Sequence, residues 1–165
     1  MEKENVTKLK KVTGEMNRFI EFSLGAEDYA IPLLMVREVI SVPDTTPIPK
    51  APTHFVGIMN LRGQVISVVD LRKKLKVDPR KDKEEAVIIV DIGTMNIGVV
   101  VDSINKVLAF SSEDVCDMPE IESQVNTQFI QGVYKKENSL TVLLDLAKVL
   151  DLKDFETLNG QKKAA

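Results

Sequence analysis

His54 and Cys116 are the residues whose side chains could serve as a base and a nucleophile, and the sequence contains one histidine and one cysteine. A thiol becomes an effective nucleophile when an adjacent base or cation favours its thiolate form. No histidine stands near Cys116 in the sequence, so a catalytic pair would depend on the tertiary structure. We therefore expect His54 to be a surface or packing residue.

The motifs that hold metals, phosphates or catalytic serines are missing from the sequence. It contains no HExxH, CxxC, GxxxxGK[ST], GxSxG or GxGxxG. The acidic stretch "SSEDVCDMPEIES" offers carboxylates, but it lacks the spacing and the turn glycine of a calcium loop. Ser111 or Ser112 is expected to cap a short turn there instead. We predict a binding module that is not an enzyme and that carries neither cofactor nor metal.

Composition narrows the class of partner. The 165 residues are 44% hydrophobic and 28% charged with a net charge of -3, which suits one soluble domain or two small subdomains. No positive field is present to attract nucleic acid or anionic lipid. A lone cysteine, no signal peptide and apolar runs too short to span a bilayer favour a cytoplasmic protein without membrane insertion.

Local patterns predict strands joined by turns. Ile20, Phe22 and Leu24 alternate with Glu21 and Ser23, which predicts a half-buried strand. A short helical turn is expected after Pro32, and short helices after Asp70 and Asp145, whose carboxylates could cap them. Four prolines in residues 43–52 indicate a stiff connector, with a PxxP ligand as the alternative.

The sequence repeats itself with two offsets. At an offset of 68, Gly25 aligns with Gly93 and Val39 with Val107; at an offset of 75, Gly57 aligns with Gly132 and Asp70-Leu71 with Asp145-Leu146. Each half therefore has about five strands in about 68 residues, and a small barrel would close their edges. We predict tails at residues 1–16 and 155–165 around a domain of residues 17–154, divided into subdomains of about 17–84 and 85–154.

One segment differs between the halves. "MNLRGQV" in the first half aligns with "YKKENSL" in the second, so a hairpin at this place does not require "NLRG". A function in partner binding is therefore the better explanation for Arg62. The alternative is that Arg62 lies on the surface with its stem over aliphatic neighbours.

The stretch "GIMNLRGQVISVVDLRKKL" resembles the CheW family, the coupling proteins of bacterial chemotaxis. "FSLGAEDYAI", "VREV", "IPKAPTHFVG" and "IGVVVDSINKVL" extend the resemblance over residues 18–152. It implies an all-β fold of two intertwined, five-stranded, SH3-like barrels with a few short helices, and no catalysis. It also implies a stand-alone adaptor that couples the histidine kinase CheA to the cytoplasmic tips of chemoreceptors in membrane-associated arrays. An adaptor in a different sensory pathway is the alternative, and we expect a monomer in isolation.

The same resemblance implies two sets of contact residues. The receptor helix tip would lie in a groove formed by Val36, Glu38, Gly57, Ile58, Asn60, Leu61, Arg62 and Gly63. The kinase's CheW-like domain would contact Gly98, Val101, Asp102, Ile104 and Val107.

Physical roles can be assigned within the receptor set. Gly57 is expected to let a partner backbone approach, and Gly63 and Asn60 to form and support a tight turn. Glu38 is the expected partner of Arg62, whose guanidinium presents a fork of donors to a carboxylate.

Overall fold

The computed structural model describes residues 17–79, 85–117 and 127–150, and strands account for most of them. The predicted tails at residues 1–16 and 155–165 lie outside the described residues. The strands in the described part are β1 (Asn17–Leu24), β2 (Glu27–Pro32), β3 (Val36–Ser41), β4 (Phe55–Leu61), β5 (Gln64–Asp70), β6 (Ala86–Ile92), β7 (Met95–Val101), β8 (Ser103–Phe110), β9 (Val115–Cys116), β10 (Ile130–Lys136) and β11 (Ser139–Leu144). The helices there are α1 (Leu71–Leu75), α2 (Leu146–Val149) and the 3-10 turns η1 (Leu33–Met35), η2 (Ser112–Asp114) and η3 (Thr127–Phe129).

The strands form two sheets, and each sheet combines both halves of the chain. One sheet has the order β8-β1-β2-β11-β10-β9, and the other has the order β3-β6-β7-β5-β4. The first two strands of each half thus join the last strands of the other half, through the parallel pairs β2–β11 and β5–β7. The predicted all-β, intertwined fold is confirmed. The subdomain boundaries near residues 84 and 85 divide the sequence rather than the sheets, and they stay a prediction.

Both sheets curl so that their edges approach each other. β8 and β9 are opposite edges of the six-stranded sheet, yet only residues 111–114 separate them in the chain. In the five-stranded sheet the chain that leaves β3 returns to the far edge, where Thr46 and Ile58 exchange backbone hydrogen bonds of 2.8 and 2.9 Å. We refer below to these closed sheets as the six-stranded and five-stranded barrels. β9 is a short sixth strand where the sequence predicts five.

The two barrels share one register. Ile20 pairs with Val107 in one barrel, and their equivalents Ile88 and Val39 pair in the other. The β-bulges also correspond, because the register of β4–β5 shifts between Phe55 and Gly57 and that of β10–β11 shifts between Ile130 and Gly132. The repeat seen in the sequence is therefore a repeat of hydrogen bonding, which makes each half an internal reference for the other.

Apolar side chains fill three regions. The largest cluster draws buried residues from both sheets, among them Phe22, Tyr29, Ile88 and Val99, and thus lies between the barrels. A second cluster around Ile66 belongs to the five-stranded barrel alone, and a third belongs to the six-stranded barrel alone. Burial of this apolar surface provides the main stabilisation.

The prediction of a half-buried β1 is wrong. Residues 19–24 are all buried, and Glu21 and Ser23 are only 5% and 6% exposed. Glu21 accepts a 2.6 Å hydrogen bond from the buried Thr141 hydroxyl, and Ser23 donates a 2.9 Å hydrogen bond to Asp28. Polar residues on this face meet partners inside the barrel, so alternation of polarity did not indicate exposure.

Candidate functional site

The β4–β5 hairpin turns at Arg62 and Gly63, which both have positive φ angles, 52° and 84°. The Gly63 N–H donates a 2.8 Å hydrogen bond to Asn60 Oδ1, which supports the turn as predicted. A positive φ is uncommon for a residue with a side chain, and the sequence analysis did not anticipate it at Arg62. The equivalent Glu137 has a φ of 53°, so both hairpins place a residue with a side chain in the left-handed backbone conformation at this position.

Arg62 forms a bidentate pair with Glu38, as predicted. Its Nη1 donates to Oε1 at 2.8 Å and its Nη2 donates to Oε2 at 3.0 Å. Glu38 lies on β3, at the opposite edge of the sheet from β4, so the pair spans the closure of the five-stranded barrel. The Arg62 side chain is nevertheless 75% exposed and that of Glu38 27% exposed. The pair therefore combines a fixed geometry with access for a partner.

The other barrel reverses these charges. Lys106 stands at the position of Glu38 and Glu137 at that of Arg62, and no ion pair joins these two described residues. The six-stranded barrel closes all the same. An ion pair at this place is thus not a requirement of the fold, which strengthens the functional explanation of Arg62.

The expectation that Gly57 leaves room for a partner backbone is wrong. A Cβ at Gly57 would lie 2.4 Å from the carbonyl oxygen of Thr46 and 3.1 Å from the Cα of Pro47. The glycine has a φ of 151°, and it permits the close approach of the chain's own proline-rich connector. Gly57 therefore holds the connector against β4 and does not itself receive a partner.

The remaining receptor-set residues lie at the surface or partly exposed. Asn60 and Gly63 are exposed, whereas Val36, Ile58 and Leu61 are half-buried. Leu34, which the sequence analysis missed, is 97% exposed on η1, two residues before Val36. No sequence pattern distinguished it from the neighbouring Leu33, which is half-buried.

The predicted kinase set divides by burial. Gly98, Val101 and Asp102 are buried, so they do not offer side chains to a partner in this structure. Ile104 is half-buried and Val107 is 53% exposed, both on β8. Of the predicted kinase set, Ile104 and Val107 are therefore the residues that a partner could contact. The three buried residues can contribute only by holding β7 and β8 in place.

A buried ionic network, also missed, is centred on Arg72. Its Nε and Nη2 donate to Asp70 at 2.9 and 3.0 Å, and its Nη1 donates to Asp102 at 2.7 Å and to Glu85 at 2.9 Å. Arg72 is 7% exposed and Asp102 is fully buried. The hydrogen bond with Asp70, more than those with Asp102 and Glu85, raises the pKa of Arg72 above its already high ordinary value, while burial opposes it. The guanidinium of Arg72 is therefore charged in the folded protein.

Asp102 extends the network into the other barrel. Its Oδ2 accepts a 2.6 Å hydrogen bond from the Gly25 N–H, and its own N–H donates to the Ser23 carbonyl at 3.0 Å. Gly25 lies in the β1–β2 turn of the six-stranded barrel, whereas Arg72 follows β5 of the five-stranded barrel. The motif "DLR" indicated a helix start in the sequence, but the sequence offered no signal for a partner 30 residues away.

The possible catalytic residues are not assembled. The His54 ring lies at a tilt of 38° to that of Phe55, next to the five-stranded barrel, while Cys116 is exposed on β9 of the other barrel. A cavity of about 740 Å³ beside the β10–β11 hairpin includes Cys116, Glu27 and Glu137, but Lys135 is its basic residue and no histidine lines it. Within residues 17–79, 85–117 and 127–150, no three potential ligands cluster as a metal site would require.

Comparisons with known proteins agree on one family. The family model described as the CheW-like domain matches residues 18–154. The chain is 31% identical to "Chemotaxis protein CheW" of Treponema pallidum, over 89% of each chain, and 30% identical to the protein of that name in Bacillus subtilis, over 84% of this chain and 88% of that one. It is also similar to the crystal structure of the scaffolding protein TtCheW from Thermoanaerobacter tengcongensis, with a TM-score of 0.76, 28% identity, and coverage of 82% of this chain and 88% of that chain.

Proposed function

The chain belongs to the CheW-like domain family, and from this premise we propose that it is a non-enzymatic adaptor of bacterial chemotaxis. It couples the histidine kinase CheA to methyl-accepting chemoreceptors in signalling arrays. The observation that carries this proposal is the family match over residues 18–154, which includes every described strand but the first residue of β1. Relatives named as chemotaxis proteins match over most of their length, which favours this pathway over an adaptor role in another one.

The receptor tip binds at the β3 and β4–β5 surface around Arg62. A chemoreceptor tip is a helical hairpin, and helices commonly dock by placing apolar side chains in a groove. The half-buried Val36, Ile58 and Leu61 supply apolar surface. Arg62 has five N–H donors, of which the Glu38 carboxylate occupies two, and the others are available to a receptor carboxylate or carbonyl.

The kinase's CheW-like domain binds along β8 of the six-stranded barrel. Val107 is the exposed aliphatic residue of the predicted set, and Ile104 lies three residues before it on the same strand. Ile104 is half-buried against the shared apolar cluster, so Val107 is the residue of this pair that presents an aliphatic side chain to a partner. The two partners therefore occupy different barrels and can be held at the same time.

Recruitment to the receptors then places the protein at the cytoplasmic side of the membrane arrays. Among the described residues, no helix has the length and apolar character needed to cross a bilayer. Both sheets close their own edges, so neither needs a second copy to cover them, which supports a monomer in isolation.

A reconstitution experiment tests the proposal. The purified chain is combined with a chemotaxis histidine kinase and a receptor cytoplasmic fragment, and kinase autophosphorylation and co-sedimentation are measured. We expect a ternary complex and receptor-dependent activation that requires the chain. If kinase autophosphorylation does not change when the chain is added, and a pull-down recovers neither partner, the protein belongs to a different pathway.

A further inference from the structure

We infer that Arg72 is a positioning residue that sets the orientation of the receptor-binding hairpin relative to the kinase-binding strand. The inference rests on the proposed function and adds to it how one chain couples two partners. Arg72 lies in α1, directly after β5, and the other end of β5 adjoins the Arg62 turn. Asp102 lies directly before β8, which carries Ile104 and Val107. The 2.7 Å contact between Arg72 and Asp102 thus joins the end of β5, which leads from the receptor-binding hairpin, to the start of β8, the kinase-binding strand.

The geometry of the network requires an arginine. The Arg72 fork holds Asp70 through Nε and Nη2 while Nη1 reaches Asp102 and Glu85, so three carboxylates are placed around one planar group. A lysine ammonium is a point charge that cannot reproduce this fork. Hydrogen bonds between charged groups are short and directional, so they set an orientation as well as an attraction.

The internal repeat shows that this arginine is not needed for the local fold. Ala147, at the equivalent position in α2, is exposed, and that helix still begins with an aspartate, Asp145, whose side chain accepts from the Lys148 N–H. The position equivalent to Asp102 is occupied by Leu34, which is 97% exposed. The strand-to-helix junction therefore forms in both halves, and the ionic network is built at the junction of the first half.

The apolar cluster that the two barrels share is stabilised by hydrophobic burial, which is non-directional. The ionic network contributes a directional contact beside it. The network connects α1 to the β1–β2 turn through Asp102, which accepts from Arg72 at 2.7 Å and from the Gly25 N–H at 2.6 Å. The loop after α1 contacts the same turn, since a Cβ at Gly25 would lie 2.7 Å from Val77 Cγ1.

The first experiment separates positioning from stability. Arg72→Lys and Arg72→Met are titrated into the reconstituted kinase and receptor fragment, beside Val149→Ala, a cavity variant in α2 chosen to match the loss in thermal midpoint. Loss of folded protein raises the concentration needed for half-maximal activation but leaves the plateau unchanged. We expect the Arg72 variants to bind each partner separately with affinities within about threefold of wild type, and to reach a plateau at least about fivefold lower. A wild-type plateau for both Arg72 variants would overturn the inference.

The second experiment does not depend on the proposed function. Spin labels at the native, exposed Cys116 and at an engineered Gln64→Cys report the distance between the barrels. We expect a narrow distance distribution in the wild type and in Val149→Ala, and a broader or shifted one in Arg72→Lys. An unchanged distribution would refute the positioning role. If Arg72→Lys does not fold, Glu85→Gln replaces it, because the Glu85 side chain is 45% exposed and its loss disturbs the network less.

Failure of the wild-type protein to activate the kinase would refute the proposed adaptor function, whereas the distance measurement would still decide whether Arg72 orients the barrels.

Discussion

Arg62 and Glu38 join opposite edges of the five-stranded sheet through two parallel hydrogen bonds of 2.8 and 3.0 Å. A backbone bridge between Thr46 and Ile58 also joins the connector that follows β3 to β4. Because the six-stranded barrel closes without an ion pair between the two described residues at the equivalent positions, closure of a barrel does not depend on such a pair. The exposure of the Arg62–Glu38 pair gives a partner access to a guanidinium whose direction is already set by Glu38.

Arg62→Ala should separate function from folding. An exposed ion pair contributes about 0.2–1 kcal/mol, so the free energy of unfolding should change little. Receptor-dependent kinase activation should fall strongly, as measured by autophosphorylation, while circular dichroism stays unchanged. Glu137→Ala is the matched control, because it removes a side chain from the same turn position in the other barrel and should leave activation intact. Normal activation by Arg62→Ala would contradict the proposed receptor surface.

Exchange of the two charges distinguishes an ion pair that only stabilises the barrel from an arginine that binds the receptor. Glu38→Arg combined with Arg62→Glu restores an ion pair at the same place but presents a carboxylate where the guanidinium was. If the receptor is bound by the free donors of Arg62, the double variant should stay inactive and lose receptor affinity in a pull-down. Recovery of activity would show that the pair acts only as a brace of the barrel.

Gly57→Ala should destabilise the protein more than Gly63→Ala. The new methyl group at Gly57 would meet the Thr46 carbonyl at 2.4 Å, at a φ of 151°, whereas a Cβ at Gly63 meets nothing within 4 Å. We expect a loss of about 2 kcal/mol or more at Gly57 and about 1 kcal/mol at Gly63, where only the left-handed backbone is strained. Urea denaturation measures both, and equal losses would contradict the close approach of the connector.

The two capping aspartates should differ in importance. Asp145→Ala removes a 3.3 Å cap at a half-exposed helix start and should cost about 1 kcal/mol. Asp70→Ala removes the cap of α1 and also leaves the buried Arg72 without two of its hydrogen bonds, so a loss of about 3 kcal/mol or more is expected. Thermal unfolding of the two variants gives the comparison, and a larger loss for Asp145→Ala would be inconsistent with the network.

Tyr29 should make stability fall at alkaline pH. Burial, with a 2.6 Å hydrogen bond to Glu27 adding to it, raises the pKa of Tyr29 above its ordinary value of 10.0. Below pH 10 both folded and unfolded chains keep the proton; above it only the folded chain does, so the free energy of unfolding decreases. In a Tyr134→Phe background, Tyr29 is the remaining tyrosine, and its phenolate absorbance should appear together with unfolding. Ionisation before unfolding would contradict this expectation.

Hairpins and short helices could be predicted because their determinants are local. Gly63 and Asn60 define a turn within four residues, and Asp70 caps the helix that follows it directly. Burial was less predictable. Glu21 and Ser23 look like the exposed face of a strand, but a closed barrel has an interior of its own, and the hydroxyl of Thr141 comes from a strand 120 residues away.

The sequence by itself determined that the chain has two matching halves of strands and that it resembles the CheW family. It also determined that the hairpin does not need an arginine at position 62, because the second half has none at the equivalent position. The tertiary structure decided which strands of one half pair with which strands of the other, since this exchange depends on contacts between residues far apart. It also placed Thr46 over Gly57, buried three residues of the predicted kinase set, and brought Asp102 to Arg72. Those outcomes depend on side chains that meet only after both barrels have closed, and no local pattern records such a meeting.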